Sequence, residues 1–440
     1  MLTALKAFLR VLMPPVLYAM GLGIAVWSAL KDAWGGFVLL VFLIPQPNIW
    51  YKFHAYPMGK DYIDLLYGSV LLGLLLQGKM RLKGGNTFPI LLMILFSYAS
   101  VLNSSIRYAM PLPITLENQF VADWKNYAQM IFFYFIALSA CRTEKDRQTI
   151  LLLMAFTLFF VSLRSYRNFS GGASFAYDKR VGGPFEAVGL GANHLGAFVV
   201  HFSALFLGMF FFETGIIAKV LLAGAVLMGL HPLFFSYSRA AYVAAYGVIA
   251  FYGLVKKRLL LVLVVLLPLA WQTLLPVSVV DRISMTETSE GQLESSAATR
   301  IQLWDKAIEL FERSPVIGCG FGSFGFEASV AGLTDTHNFY LKQLSEQGIV
   351  GLCILMWILV AAVRSGAKLF CNANTVHGKG LGLGFMGCVI AVIITNIFGD
   401  RWSYFVLGSY FWITWGLVDA ALDNIGSGTR VHEGLGAHEL

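Results

Sequence analysis

The sequence predicts an all-α polytopic membrane protein of about twelve spanning helices. Of its 440 residues, 57% are hydrophobic and only 13% are charged. The mean hydropathy is +0.69. Apolar runs of roughly 16 to 20 residues recur along the whole chain, each about long enough to cross a hydrocarbon layer of ~30 Å as a helix. Helices are required, because irregular backbone facing lipid leaves its amides unpaired. The unbroken runs lack period-two alternation, which excludes a barrel.

In order, the runs fall at 13–30, 33–46, 62–78, 88–103, 127–141, 149–163, 193–212, 216–233, 240–255, 259–275, 346–363, 380–398 and 404–421. Lys6 and Arg10 precede the first, but Pro14 and Pro15 interrupt it and no small-residue cleavage site follows, so it reads as a retained anchor. Of the five cysteines only Cys319 falls in a substantial loop, and no disulfide framework is implied.

Lysine and arginine in short loops set the orientation. Lys79, Arg81 and Lys83, then Arg142, Lys145 and Arg147, then Lys256, Lys257 and Arg258, then Arg364 and Lys368 mark one side, the cytoplasm. The loops at 104–124, 164–192 and 276–345 then lie outside, and the polar tail inside. Three regions follow: helices 1–275, the large outer loop 276–345, and the C-terminal helices and tail 346–440. The short run at 33–46 breaks the parity of this count, leaving twelve or thirteen spans.

The outer side should be poor in arginine, yet it carries Arg107, Arg164, Arg167, Arg180, Arg239, Arg282, Arg300, Arg313 and Arg401. Arginine is the residue for planar, multidentate recognition of phosphate, so an anionic ligand is expected there; headgroup contact is the ordinary alternative for any one of them. Arg180 lies in a Gly/Pro-rich connection, Tyr177 to Phe185, that leads to Asn193 at the head of a helix. Arg239 sits at the outer end of a span, where a guanidinium needs a partner or snorkels.

In the long loop, Ser295 and Ser296 are placed to cap a helix that Ser314-Pro315 ends at about Arg313. Arg300, Trp304 and Ala307 share one face of it. The glycine-rich stretch from Gly318 to Gly325 reads as a flexible turn and lacks the lysine of a nucleotide loop. Asp335-Thr336-His337-Asn338 follows. His337 is the histidine placed where proton transfer would be useful, with Asp335 and Asn338 as orienting groups; by spacing alone, an exposed or structural histidine is the ordinary reading. His194, His201 and His231 read as interior groups. No metal-ligand spacing is present and no cofactor is expected.

From Arg300-x-x-x-Trp304-x-x-Ala307, through Ser314-Pro315-x-x-Gly318-x-Gly320-x-Gly322 and Thr336-His337-Asn338-Phe339-Tyr340-Leu341, to Glu346-x-Gly348-Ile349-x-Gly351, the chain resembles the O-antigen ligase and polymerase superfamily. Arg180 with Gly182 and Asn193, and Ser238-Arg239, support the resemblance, which spans roughly 175–352. It implies a C-type glycosyltransferase-like membrane fold with a large periplasmic helical loop. It also implies an undecaprenyl diphosphate-linked glycan donor and metal-independent inverting transfer at the periplasmic face of the bacterial inner membrane. Arg180 and Arg239 would hold the diphosphate, with His337 as catalytic base on the acceptor hydroxyl and Arg300 in either task. Asn193, Trp304, Asp335 and Asn338 would support them.

The members are ligases joining O-antigen to lipid A-core, polymerases, and ligases that glycosylate proteins. One large outer loop before a compact C-terminal pair of spans favours the first, with lipid A-core as acceptor and membrane lipids, not nucleic acid, as surroundings. A transporter is disfavoured by span interiors almost without carboxylates, Asp64 and Asp419 lying near ends. A lipid flippase would also need a cationic cleft.

Overall fold

The computed structural model describes residues 2–171, 174–285, 295–328 and 332–436, with side chains described from 12 to 425 except at 295–297. It is all-helical, and among the described residues eight helices are long and apolar enough to cross a membrane, or up to ten if each of two bent pairs is one span. The longer helices are α1 (Leu2–Leu30), α2 (Ala33–Leu43), α3 (Tyr62–Leu76), α4 (Thr87–Arg107), α5 (Gln119–Ala140), α6 (Glu144–Arg167), α7 (Ala192–Phe210) and α8 (Ile216–Phe235). They continue as α9 (Arg239–Val255), α10 (Leu260–Leu274), α11 (Val277–Ser284), α12 (Ser295–Arg313), α13 (Phe339–Asn372), α14 (Val376–Ile397) and α15 (Phe405–Gly436).

Each apolar run in the sequence lies on one of these helices, but two differ in form. The run at 33–46 ends at Leu43 and bends by 101° into a short helical segment, and α10 turns by 108° into α11. Pro47 opens the first bend and Pro276 the second; proline lacks the amide that would continue a helix. Helices α3 and α9 are apolar but short, at 15 and 17 residues.

The core is helix on helix, with small residues at the closest crossings. A Cβ at Gly384 of α14 would stand 2.2 Å from the carbonyl oxygen of Leu205, and one at Gly208 of α7 would stand 2.3 Å from Gly384 Cα. Backbones approach this closely only where side chains are absent. Asn193 heads α7 and Met209 lies near its end; at 1.5 Å per residue they stand about 24 Å apart. They line separate cavities, one at each end of the bundle.

The glycine-rich stretch after α12 is fixed to the bundle by its backbone. Helix α13 begins at Phe339 but breaks at Gly348, whose φ of 65° and ψ of −166° release the local ladder. The freed groups pair with the loop. Cys319 and Gly320 donate to the carbonyls of Ser345 and Glu346 at 2.9 and 2.8 Å, and Ile349 and Val350 donate to those of Pro315 and Val316 at 2.9 and 3.2 Å. The buried Glu346 carboxylate accepts from the Gly322 and Phe324 amides at 3.1 and 3.3 Å. The motif glycines therefore hold the loop against α13, where the sequence alone read a flexible turn.

Gly348 is the position that tests this joint. Its backbone angles are tolerated essentially by glycine alone, and a Cβ there would lie 2.3 Å from the Val316 carbonyl oxygen. Gly348→Ala should destabilise the chain by about 1 to 3 kcal/mol or more. Gly68→Ala, in mid-helix with open space around it, should be neutral or stabilising. Thermal midpoints of the two variants in the same detergent compare them directly.

Candidate functional site

At the end of the bundle where α7 and α9 begin, a cavity of about 340 Å³ is lined by Arg180, Asn193, Arg239, Arg282, Arg300, His337 and Arg401, with Tyr177 and Tyr237 on its wall. The structure thus brings together residues from six segments distant in sequence. Arg180, Asn193, Arg239, Arg300 and His337 were candidates on sequence. Arg282 and Arg401 were among the outer arginines but had no assigned role.

Arg180 follows a single helical turn at Tyr177–Lys179. Its segment is tied to α8 by the Val181 amide, which donates to the Phe235 carbonyl at 3.1 Å. The guanidinium donates from Nε to the Ser236 carbonyl at 3.0 Å and from Nη2 to Asn193 Oδ1 at 2.6 Å. Burial, reinforced by the charges of Arg282 and Arg300, pushes its pKa down to about 10, which leaves it charged at neutral pH. Arg239 opens α9 directly after Ser238 and reaches the Met285 carbonyl from Nη1 at 3.5 Å. Arg282 on α11 donates to the Tyr177 hydroxyl at 3.0 Å and lies 5.1 Å from the Phe175 and Tyr177 rings, within range of cation–π attraction.

Helix α12 forms over the expected span; capping by the Ser295 and Ser296 side chains lies outside the described residues, as do 286–294 and 329–331 of the long loop. Ala307 is buried, Arg300 reaches the cavity, and Trp304 Nε1 donates to the Thr336 carbonyl at 3.1 Å. Trp304 therefore ties α12 to the turn that carries His337.

That turn is strained. His337 has φ 52°, the left-handed region that non-glycine residues occupy at a cost of about 1 to 3 kcal/mol. Its amide donates to Asp335 Oδ1 at 3.3 Å, and its Nδ1 lies 3.8 Å from Asp335 Oδ2, facing it beyond hydrogen-bond range. Burial, with Arg300 and Arg401 nearby, lowers the imidazole pKa below its ordinary value, while Asp335 opposes that shift. The ring is thus held neutral, with a lone pair to accept a proton. Asn338 does not orient the imidazole: its Oδ1 caps α13, accepting from the Tyr340 and Leu341 amides at 3.0 and 3.2 Å.

Arg401 lies in the turn between α14 and α15 and is only 4% exposed. Its Nη1 donates to the Asp400 carbonyl at 2.8 Å and to His194 Nε2 at 3.0 Å. His194 is an interior group as expected, and its ring stands behind a cavity arginine. A signal was present in the sequence, a charged Asp400-Arg401 pair in the short connection between two apolar runs, but nothing local says which loop it faces.

Beside this cavity an apolar groove of about 690 Å³ runs between α7, α8, α9, α10 and α11. Tyr242, one residue of its wall, is on α9 one turn from Arg239, and Ile283 adjoins Arg282. The groove therefore ends at the arginines.

Residues 223–356 match the family model described as O-antigen ligase. The matched stretch contains Arg239, Arg282, Arg300, Trp304, Asp335, His337 and Asn338, while Arg180, Asn193 and Arg401 lie outside it. No curated protein matches the sequence.

Proposed function

Since the chain belongs, through residues 223–356, to the O-antigen ligase and polymerase superfamily, we propose that it transfers a glycan from undecaprenyl diphosphate to lipid A-core. The transfer takes place at the periplasmic face of the bacterial inner membrane. The observation that carries the reading is the pairing of a cationic cavity with an apolar groove. Among the described residues no carboxylate lies within ion-pair distance of Arg180, which is largely buried. A buried guanidinium with no carboxylate partner is unfavourable, and a bound diphosphate supplies the missing charge. The groove that reaches Arg239 and Arg282 suits a polyprenyl tail of matching chemistry.

In this reading His337 removes the acceptor hydroxyl proton as the oxygen attacks the anomeric carbon. The bond from that carbon to the diphosphate oxygen breaks on the opposite face, so the configuration inverts. The arginines stabilise the charge that develops on the leaving diphosphate, fixed donors aimed where charge accumulates. The two bent pairs, short helices α3 and α9 and the 22-residue α5, added to the eight long helices, make thirteen spans, and the loop at 276–345 faces the periplasm.

Purified protein given lipid-linked glycan and lipid A-core should form the glycosidic product. Flipping of the donor between leaflets without any product would instead identify a flippase. In a deletion strain, lipopolysaccharide lacking all O-antigen supports the ligase; a single capped repeat identifies a polymerase, and unchanged ladders with unglycosylated protein a protein ligase.

A further inference from the structure

Arg401 stands outside the matched segment, yet it lines the same cavity as Arg180 and His337. Its environment is unusual for a side chain so deeply buried. The adjacent Asp400 carboxylate is taken by Lys342 Nζ at 2.9 Å and by the Ser403 amide at 2.9 Å, so it makes no ion pair with the guanidinium. Arg401 gives Nη1 to two neutral acceptors, and no described group takes Nε or Nη2. A buried charge without a direct ion-pair partner is unfavourable, and an anionic ligand would supply one.

His194 settles how the guanidinium is presented. Arginine only donates, so His194 Nε2 must be the acceptor and its proton must sit on Nδ1. The ring is itself fixed edge-to-face against Tyr404, with centroids 4.3 Å apart. With Nη1 clamped by His194 and the Asp400 carbonyl, the remaining donors form a fork of the kind that matches phosphate oxygens in pairs.

We propose that Arg401 is a further binding residue for the diphosphate of the donor, and that His194 is its positioning residue. The proposal rests on the donor reading above. A purely structural Arg401 would fasten the 396–402 turn to α7 and would leave diphosphate affinity untouched.

Inorganic pyrophosphate, as an inhibitor of transfer and as a thermal stabiliser of the detergent-purified full chain, separates these cases. Arg401→Gln should raise both the donor KM and the pyrophosphate inhibition constant about tenfold, the scale of one lost charged hydrogen bond, with the ligand-free thermal midpoint unchanged. His194→Phe should weaken pyrophosphate in the same direction, and His194→Gln, whose side-chain oxygen can accept from the same Nη1, should restore it. If Arg401→Gln does not insert, Arg401→Lys is read in the same way, since a point charge should bind worse than the fork. Wild-type pyrophosphate affinity in the Arg401 variant, with or without a lowered ligand-free midpoint, overturns the proposal. Equal behaviour of the two His194 variants overturns its positioning half. Arg180→Ala separates the two levels: if it weakens pyrophosphate and Arg401→Gln does not, only the present proposal falls. If pyrophosphate does not affect the wild-type chain, the donor reading falls and takes the proposal with it.

Discussion

Replacing His337 by alanine should lower glycan transfer about 10²- to 10⁴-fold, the usual contribution of a positioned general base, while pyrophosphate binding stays nearly unchanged. Alanine also fits poorly at φ 52°, so His337→Asn is the better-controlled variant: asparagine tolerates the left-handed region but cannot serve as the base. Both should be inactive. The pH profile follows from the same geometry. Burial chiefly, with Arg300 and Arg401, lowers the imidazole pKa, against the pull of Asp335, so the base form persists below the ordinary value of about 6.5. Transfer should therefore hold at neutral pH and fall as pH drops through that lowered pKa, because a protonated ring cannot accept the hydroxyl proton. A correctly inserted His337→Asn chain transferring at the wild-type rate would remove the base role.

Arg180→Ala should weaken productive donor binding about 10- to 150-fold, corresponding to roughly 1.5 to 3 kcal/mol for a charged hydrogen bond. The substitution also deprives Asn193 Oδ1 and the Ser236 carbonyl of their donor, loosening the cavity wall. Lysine should rescue poorly. One ammonium cannot reach Ser236, Asn193 and a phosphate oxygen with the planar geometry of a guanidinium. Steady-state transfer against donor concentration measures the effect, and an unchanged donor KM and kcat in the purified variant would take Arg180 out of the site.

Much of this was legible in the sequence because it depends on local chemistry. The apolar runs located the helices since a lipid-facing backbone must satisfy its own hydrogen bonds within each segment. The outer arginines and His337 stood out because their residue types are unusual beside apolar runs, and Ser314-Pro315 ended α12 by removing a backbone donor. The glycines of Gly318-x-Gly320-x-Gly322 and Gly348 were visible, but their partners, Ser345, Glu346, Pro315 and Val316, were not.

What the sequence by itself determined is the solvent of the protein, its helical class and the stock of cations on one side. What only the tertiary structure decided is which of them converge. Arg180, Arg282 and Arg401 are separated by about a hundred residues at each step, and a side chain's counter-charge is set by packing at distances of a few ångströms, not by neighbours along the chain. Whether Asp400 paired with Arg401 or Lys342, and whether Asn338 oriented an imidazole or capped a helix, depended on where the folded backbone aimed each donor, which spacing along the chain does not encode.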